Sequence, residues 1–394
     1  MYDVAVIGGG PVGSHVAYKL AGMGYGVVVL EQKERLEEPV CCTGIISEEC
    51  VRSFAVNHNV ILGKVNSARF FSPSGKVIRL WRQETQAYIL DRAAFDVAVA
   101  SRVQGRGAEY ILNSPVRNIE VADDRVRVEV ARQGEISHFD ARVVVIASGF
   151  GSSLVEGLGL GKTSHFVMGA HAEVETMGIN EMEVYFSQKV APGFFAWLVP
   201  ISPFTARVGL LSRHSPGPYL KKLISSLVAQ GKITSAEVEF SYGGIPLKPL
   251  ARTYGARLLV VGTAAGQVKP TTGGGIYYGL LSADIAASSL HQALESNDLS
   301  ARGLAKYERE WKRRLGRELR MGYWTRRFYE HLSDRQIDRI FTIITANGMD
   351  DALLKANDVS FDWHSIGLVR LLGHRAISKA IKVAKIPFNL GGRG

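Results

Sequence analysis

Gly8, Gly10 and Gly13 stand at Gly-x-Gly-x-x-Gly spacing directly after the apolar run at residues 3–7. A glycine at the first position permits a tight turn. One at the second lets backbone approach a pyrophosphate, and one at the third lets a helix lie close to a sheet. Pro11 occupies the first turn of the helix that should follow, where a proline is favoured. Glu31 closes the next apolar run, residues 26–30, at the distance where a carboxylate binds ribose hydroxyls. A second glycine-rich loop runs from Gly262 and Thr263 to Gly273, Gly274 and Gly275, again between a strand pattern and a helix pattern. Helix N-termini attract negative charge. Two such loops fit an extended FAD better than a nicotinamide nucleotide alone.

Other residues with chemistry to offer lie between the loops. Cys42 lies between the expected FAD helix and a loop that should reach the flavin. There it would touch substrate or deliver a proton, although a buried inert thiol is the commoner state of a cysteine. Cys41 reads as packing. The three cysteines, Cys41, Cys42 and Cys50, form neither a disulfide framework nor a zinc-site spacing, so no metal is expected. Phe195 and Trp197 share a strand pattern and would build either core or an apolar pocket wall. Tyr277 and Tyr278 follow the second glycine loop, where either can face the flavin ring.

These groups need a frame. Apolar runs at 3–7, 26–30, 141–149 and 257–262 read as buried strands of a parallel sheet. Val16, Ala17, Leu20 and Ala21 have helical spacing, and a second helix is expected at 276–294. Alternating runs at 170–174, 183–186, 195–199, 205–211 and 238–242 read as strands of a mostly antiparallel sheet. The expected fold is α/β. Residues 1–164 and 251–295 form an FAD-binding domain in two parts, and 165–250 form a substrate domain roofing the flavin. Residues 296–394 form a basic helical region.

The formal net charge of +10 is concentrated in that last region: residues 301–394 hold 19 Lys+Arg against 10 Asp+Glu. Such a bias suits an anionic surface, lipid or nucleic acid, and equally suits a solvated helical face. No nucleic-acid motif accompanies it, so nucleic acid is not expected as a partner. Residues 375–386 place Ile377, Ala380, Ile381 and Ala384 on one helical face and Lys379, Lys382 and Lys385 on another. That pattern can lie on an anionic membrane or dock on the protein body. No apolar run is long enough to span a bilayer, and residues 1–6 read as strand rather than export signal. A cytoplasmic protein is expected, with peripheral contact to the inner membrane face.

The order of these motifs resembles the p-hydroxybenzoate hydroxylase superfamily of flavoproteins, and within it the geranylgeranyl reductase family. Four segments carry the resemblance: Arg92 to Asp96, Pro39 to Gly44, Pro192 to Pro200, and Lys269 to Ile276. It extends from residue 1 to about residue 330. The resemblance implies FAD as cofactor, with Arg92 reaching its phosphate or forming an ion pair. Gly149 would lie in a flavin turn, Cys42 at the reacting centre, and Trp197, Phe195 and Tyr277 in the substrate pocket. It implies reduction of isoprenoid double bonds, with a geranylgeranyl chain on an archaeal-type glycerophospholipid as substrate. NADPH or a ferredoxin-like carrier would supply the electrons. Thr263 and Ser148 depart from the superfamily, which carries Asp at both positions. A threonine hydroxyl still donates or accepts at the first, whereas serine at the second argues against direct use of NADPH. The other readings are a monooxygenase or halogenase of the same superfamily, and a flavin-bearing electron carrier.

Overall fold

The computed structural model describes residues 1–38, 40–132, 134–346 and 361–363. The run of Val, Ala and Ile after Tyr2 becomes the central strand, Tyr2–Ile7, of an eight-stranded sheet. Its neighbours are Val27–Leu30 and Glu135–Ile146, both parallel to it. Glu109–Ile111 and Leu258–Val260 extend the parallel set on either side. Because side chains alternate along a strand, each of these strands feeds two cores. Val4, Val6, Val143 and Val145 point to one face, beneath helices Pro11–Ala21, Ile276–Glu295 and Ala301–Glu330. Ala5, Ile7, Val144 and Ile146 point to the other, beneath the antiparallel ribbon of Val116–Val121 and Val126–Arg132. Burial on both faces is why these strands are continuous apolar runs.

A seven-stranded sheet stands beside this layer. Its order is Ser241–Pro246, Phe166–Glu175, Thr205–Ser212, Ala196–Pro200, Met182–Tyr185, Ser67–Phe71 and Val77–Trp81. All pairs are antiparallel except Met182–Tyr185 with Ser67–Phe71. Two of its strands therefore come from before residue 90. Helix Pro216–Ala229, absent from the strand-by-strand reading of residues 165–250, covers one face with Leu220, Leu223, Ile224 and Leu227. The last strand starts three residues later than expected. Val238 and Phe240 pack on the helix-covered core, while Gly243 and Gly244, which carry little strand propensity, pair with Phe166–Glu175. The opposite face is left to line a cavity. A small sheet of Ile45–Ser47, Ala87–Leu90 and Ile61–Val65 bridges the two layers.

In the basic quarter the described residues include two helices, Ala301–Glu330 and Asp334–Ala346, while 361–363 are not helical. The amphipathic pattern at 375–386 lies outside the described residues. Among the described residues, no helix is long and apolar enough to cross a membrane.

Candidate active site

The first glycine loop is built as its spacing requires. Gly13 lies so close to the loop that a Cβ placed there would stand 2.0 Å from the Gly8 carbonyl oxygen. Gly10 is different: a Cβ there would meet no protein atom within 4 Å. The space beside Gly10 is open, as a pyrophosphate cradle must be. Glu31, almost fully buried, accepts the Gly9 N–H (2.5 Å) and the Lys33 N–H (2.9 Å), which leaves each carboxylate oxygen a second lone pair for a ribose. Tyr110, not singled out in the sequence, closes over the loop and donates to the Gly9 carbonyl at 2.5 Å. Ser148 Oγ is buried beside this loop without a hydrogen-bond partner. An open cradle, a buried acid and an orphaned hydroxyl together fit the adenosine diphosphate half of FAD.

Replacing Gly10 by Ala tests that fit with little risk to the fold. Gly10 has φ −66°, which alanine adopts freely, and its Cβ would intrude only on ligand space. We expect unchanged thermal stability of the apoprotein and at least about tenfold weaker FAD binding by calorimetry, equivalent to about 1.4 kcal/mol. Equal affinity in the variant would remove the cradle assignment.

The second loop, the Cys41–Ile45 segment and the free face of the seven-stranded sheet enclose a cavity of about 670 Å³, within the range of small-molecule sites. Of the residues expected at the site, Pro11, Cys42, Arg92, Thr263, Gly273, Gly274, Gly275, Phe195 and Trp197 line it. Gly8, Gly10 and Gly13, in and after the first loop, and Glu31, at the end of strand Val27–Leu30, lie outside this wall. Gly149 and Gly262 are likewise not in the wall. Tyr277 is not there either. The neighbouring Ile276 faces the cavity, and one step round the helix turns Tyr277 into the core, where it donates to Glu49 at 2.5 Å. Tyr278 is buried and donates to the Asp362 carbonyl at 2.8 Å.

The polar end of the cavity carries two thiols. Gly44 N–H points at Cys42 Sγ (3.3 Å). Cys41 Sγ lies 3.8 Å from His171 Nδ1 and 3.5 Å from the Ser241 carbonyl. Burial, with a smaller contribution from Cys42, pushes the Cys41 thiol up to about 11. Burial, then Arg207, holds His171 below its ordinary value. Arg92 opens helix Arg92–Gln104 and bonds Asp96 at 2.9 Å. Burial works against its charge, but Cys42 and Asp96 more than offset this and raise Arg92 above its ordinary value. Behind the second loop, Lys269 and Asp362 form a buried ion pair at 2.7 Å. Among the described residues no cluster of His, Cys, Asp and Glu could hold a metal.

Away from the glycines the wall becomes apolar. Phe70, Met182, Val184, Phe186, Phe195 and Trp197 line it, with Phe186 and Phe195 at 5.8 Å and Phe195 and Trp197 at 6.0 Å between ring centroids. Gly209 lies beneath the Trp197 indole, where any side chain would collide with it. Helix Ala301–Glu330 closes the chamber with Thr325, Arg326 and Tyr329. Arg326 was not anticipated. Its signal is helical spacing: it continues the stripe of Leu315, Leu319 and Tyr323, all buried.

Known proteins resemble this chain in sequence and in fold. Residues 3–346 match the family model described as lycopene cyclase protein. A digeranylgeranylglycerophospholipid reductase of Methanocaldococcus jannaschii is 34% identical over 86% of this chain and 90% of that protein. Digeranylgeranylglycerophospholipid reductase 2 of Methanothermobacter thermautotrophicus is 30% identical over 86% of this chain and 90% of its own length. Among solved structures, a geranylgeranyl bacteriochlorophyll reductase-like protein of Thermoplasma acidophilum shares the fold. Its TM-score is 0.85 at 24% identity, with 97% of this chain and 98% of that chain covered. On sequence, fold and the glycine loops together, this chain belongs to the digeranylgeranylglycerophospholipid reductase family.

Proposed function

We propose that this protein is an FAD-dependent reductase that saturates C=C bonds of geranylgeranyl chains carried by an archaeal-type glycerophospholipid. The observation that carries this reading is the continuity of one chamber, from the second glycine loop and Cys42 to a wall of Phe, Met, Val and Trp. An unsaturated chain is apolar along its length and needs such a wall. The reaction needs a reducing cofactor and a proton source at one end of it.

Bound and reduced, FAD supplies a hydride to one alkene carbon. The chain's own residues do the rest. The two glycine loops and Glu31 hold the cofactor. Phe195, Trp197 and Phe186 align the alkene and exclude water. Cys42 gives a proton to the second alkene carbon. The Arg92 guanidinium lies beside it as a charge partner for the sulfur. Water then returns the proton to sulfur. The basic C-terminal region would rest on anionic headgroups at the membrane that holds the substrate, weakly and with strong salt dependence.

The test is anaerobic. The FAD-loaded protein is reduced chemically and mixed with geranylgeranylated phospholipid. Reoxidation of the flavin with a gain of about two hydrogens per reduced bond is the expected result. Reoxidation by oxygen alone would move the monooxygenase reading ahead. Comparing NADPH with reduced ferredoxin as the reductant identifies the electron donor.

A further inference from the structure

We propose that Arg326 and Tyr329 form an anion subsite inside the chamber, which receives the phosphate-bearing end of the isoprenoid. The inference rests on the reductase reading for its ligand and adds where the head of that ligand lies.

Arg326 is 4% exposed, and its Nε and Nη2 have no hydrogen-bond partner among the described residues. The guanidinium stacks on Phe194 and lies near Tyr329, whose hydroxyl is also buried without a partner. Its nearest carboxylate, Glu330, is 3.8 Å from Nε and already occupied. Arg213 binds it through Nε (3.0 Å) and Nη2 (2.9 Å), and Arg327 binds it at 3.1 Å. Three guanidiniums share one carboxylate, so among the described residues the cluster keeps two uncompensated positive charges. The surroundings add more. His165 is held below its ordinary value by burial, then by Lys248, Arg213 and Arg327. Burial pulls Arg326 itself down to about 9, so it remains charged at neutral pH.

A buried cation with two unused donors is expensive unless something occupies it. Apolar chain cannot do so, whereas a phosphate oxygen, accepting from a guanidinium and a phenol, can. The position suits the chemistry as well. Helix Ala301–Glu330 touches Pro270, beside the second glycine loop, at Gly322. Arg326 is one turn further along, about 6 Å. In a geranylgeranyl ether or ester of phosphate, the first double bond is separated from the ether or ester oxygen by one methylene. Reducing that bond requires the head to come within a short distance of the flavin, and Arg326 stands there.

The same phosphate chemistry could come from a phospholipid head or from a prenyl diphosphate. The test therefore compares three ligands on FAD-loaded, full-length protein: a geranylgeranylated glycerophospholipid in micelles, geranylgeranyl diphosphate, and uncharged geranylgeraniol. Binding is followed by the perturbation of flavin absorption and turnover by flavin reoxidation. The wild type should bind at least one phosphate-bearing ligand about tenfold or more tightly than geranylgeraniol, the worth of one charge-assisted bond. Whichever ligand shows the larger ratio names the source. Arg326→Met should abolish that ratio, Arg326→Lys should keep part of it, and Tyr329→Phe should reduce it. An unchanged ratio in Arg326→Met, or equal weakening of all three ligands together, overturns the proposal. Should Arg326→Met not fold, Arg326→Lys and Tyr329→Phe carry the comparison. If no ligand is hydrogenated by reduced wild type, the reductase reading fails, and the binding ratio still decides the subsite.

Discussion

Cys42→Ala is expected to bind FAD normally and to reduce geranylgeranylated phospholipid about 10²–10⁴-fold more slowly, the usual contribution of a positioned proton donor. Cys42 lines the chamber where the second glycine loop meets the apolar wall, and Arg92 sits beside it. Only the protonation half of the reaction passes through sulfur, so the flavin spectrum and its reduction should be untouched. Single-turnover reoxidation under nitrogen isolates that half. Cys42→Ser should fall between, since a hydroxyl holds its proton more tightly than a thiol. Cys41 supplies the control. Its thiol is also in the chamber, raised to about 11 by burial, and lies by His171 rather than Arg92. If Cys41→Ala slows the reaction and Cys42→Ala does not, the roles are exchanged. If neither slows it, the proton comes from water.

The second large effect is on stability. Lys269→Met should lower the unfolding free energy by about 3–5 kcal/mol, the usual consequence of removing one partner of a buried ion pair. Asp362 is 1% exposed and Lys269 5%, with 2.7 Å between Nζ and Oδ1. Lys269 also donates to the Phe361 carbonyl at 3.4 Å, and its stem fills the space under Gly274. Removing the ammonium takes the charge partner at 2.7 Å from a buried carboxylate and leaves a gap beneath the flavin loop. FAD retention should fall together with the denaturation midpoint. The double variant Lys269→Met, Asp362→Leu should recover most of the stability, because replacing a buried pair by apolar groups is close to neutral. A single variant within about 1 kcal/mol of wild type, the scale of an exposed pair, would mean that the pair contributes little.

What was legible in the sequence was local. The first glycine loop, its flanking strands and Glu31 fall within 31 consecutive residues. Gly13 answers to a contact inside the same unit, the Gly8 carbonyl oxygen. The second loop and its helix were legible for the same reason. Apolar runs identified four of the five parallel strands, because burial on both faces leaves little room for polar residues; Glu109–Ile111, at the edge and only partly buried, has no such run. The rest depended on partners far along the chain. Arg92 meets Cys42 across the small sheet, Lys269 meets Asp362 across 93 residues, and Tyr110 reaches Gly9 across 101. Ser67–Phe71 and Val77–Trp81 join the cavity sheet only through a parallel pairing with Met182–Tyr185, which no spacing announces. Arg326 was grouped with the other basic residues of the last quarter. Net charge treats all of them alike, whereas helical phase separates the buried one from its solvated neighbours.

The order of strands in the first sheet also sets a clock. Tyr2–Ile7 is made first, yet its partner Glu135–Ile146 lies more than a hundred residues downstream, and that strand's other neighbour is Leu258–Val260. At about 5–20 residues per second of synthesis, the first glycine loop waits roughly 10–50 s before its sheet can close. Until Glu135–Ile146 is made, Tyr2–Ile7 can pair with Val27–Leu30, but its other edge stays open to any exposed strand. The second glycine loop, and with it the complete cofactor site, is made only as the final third of the chain is translated.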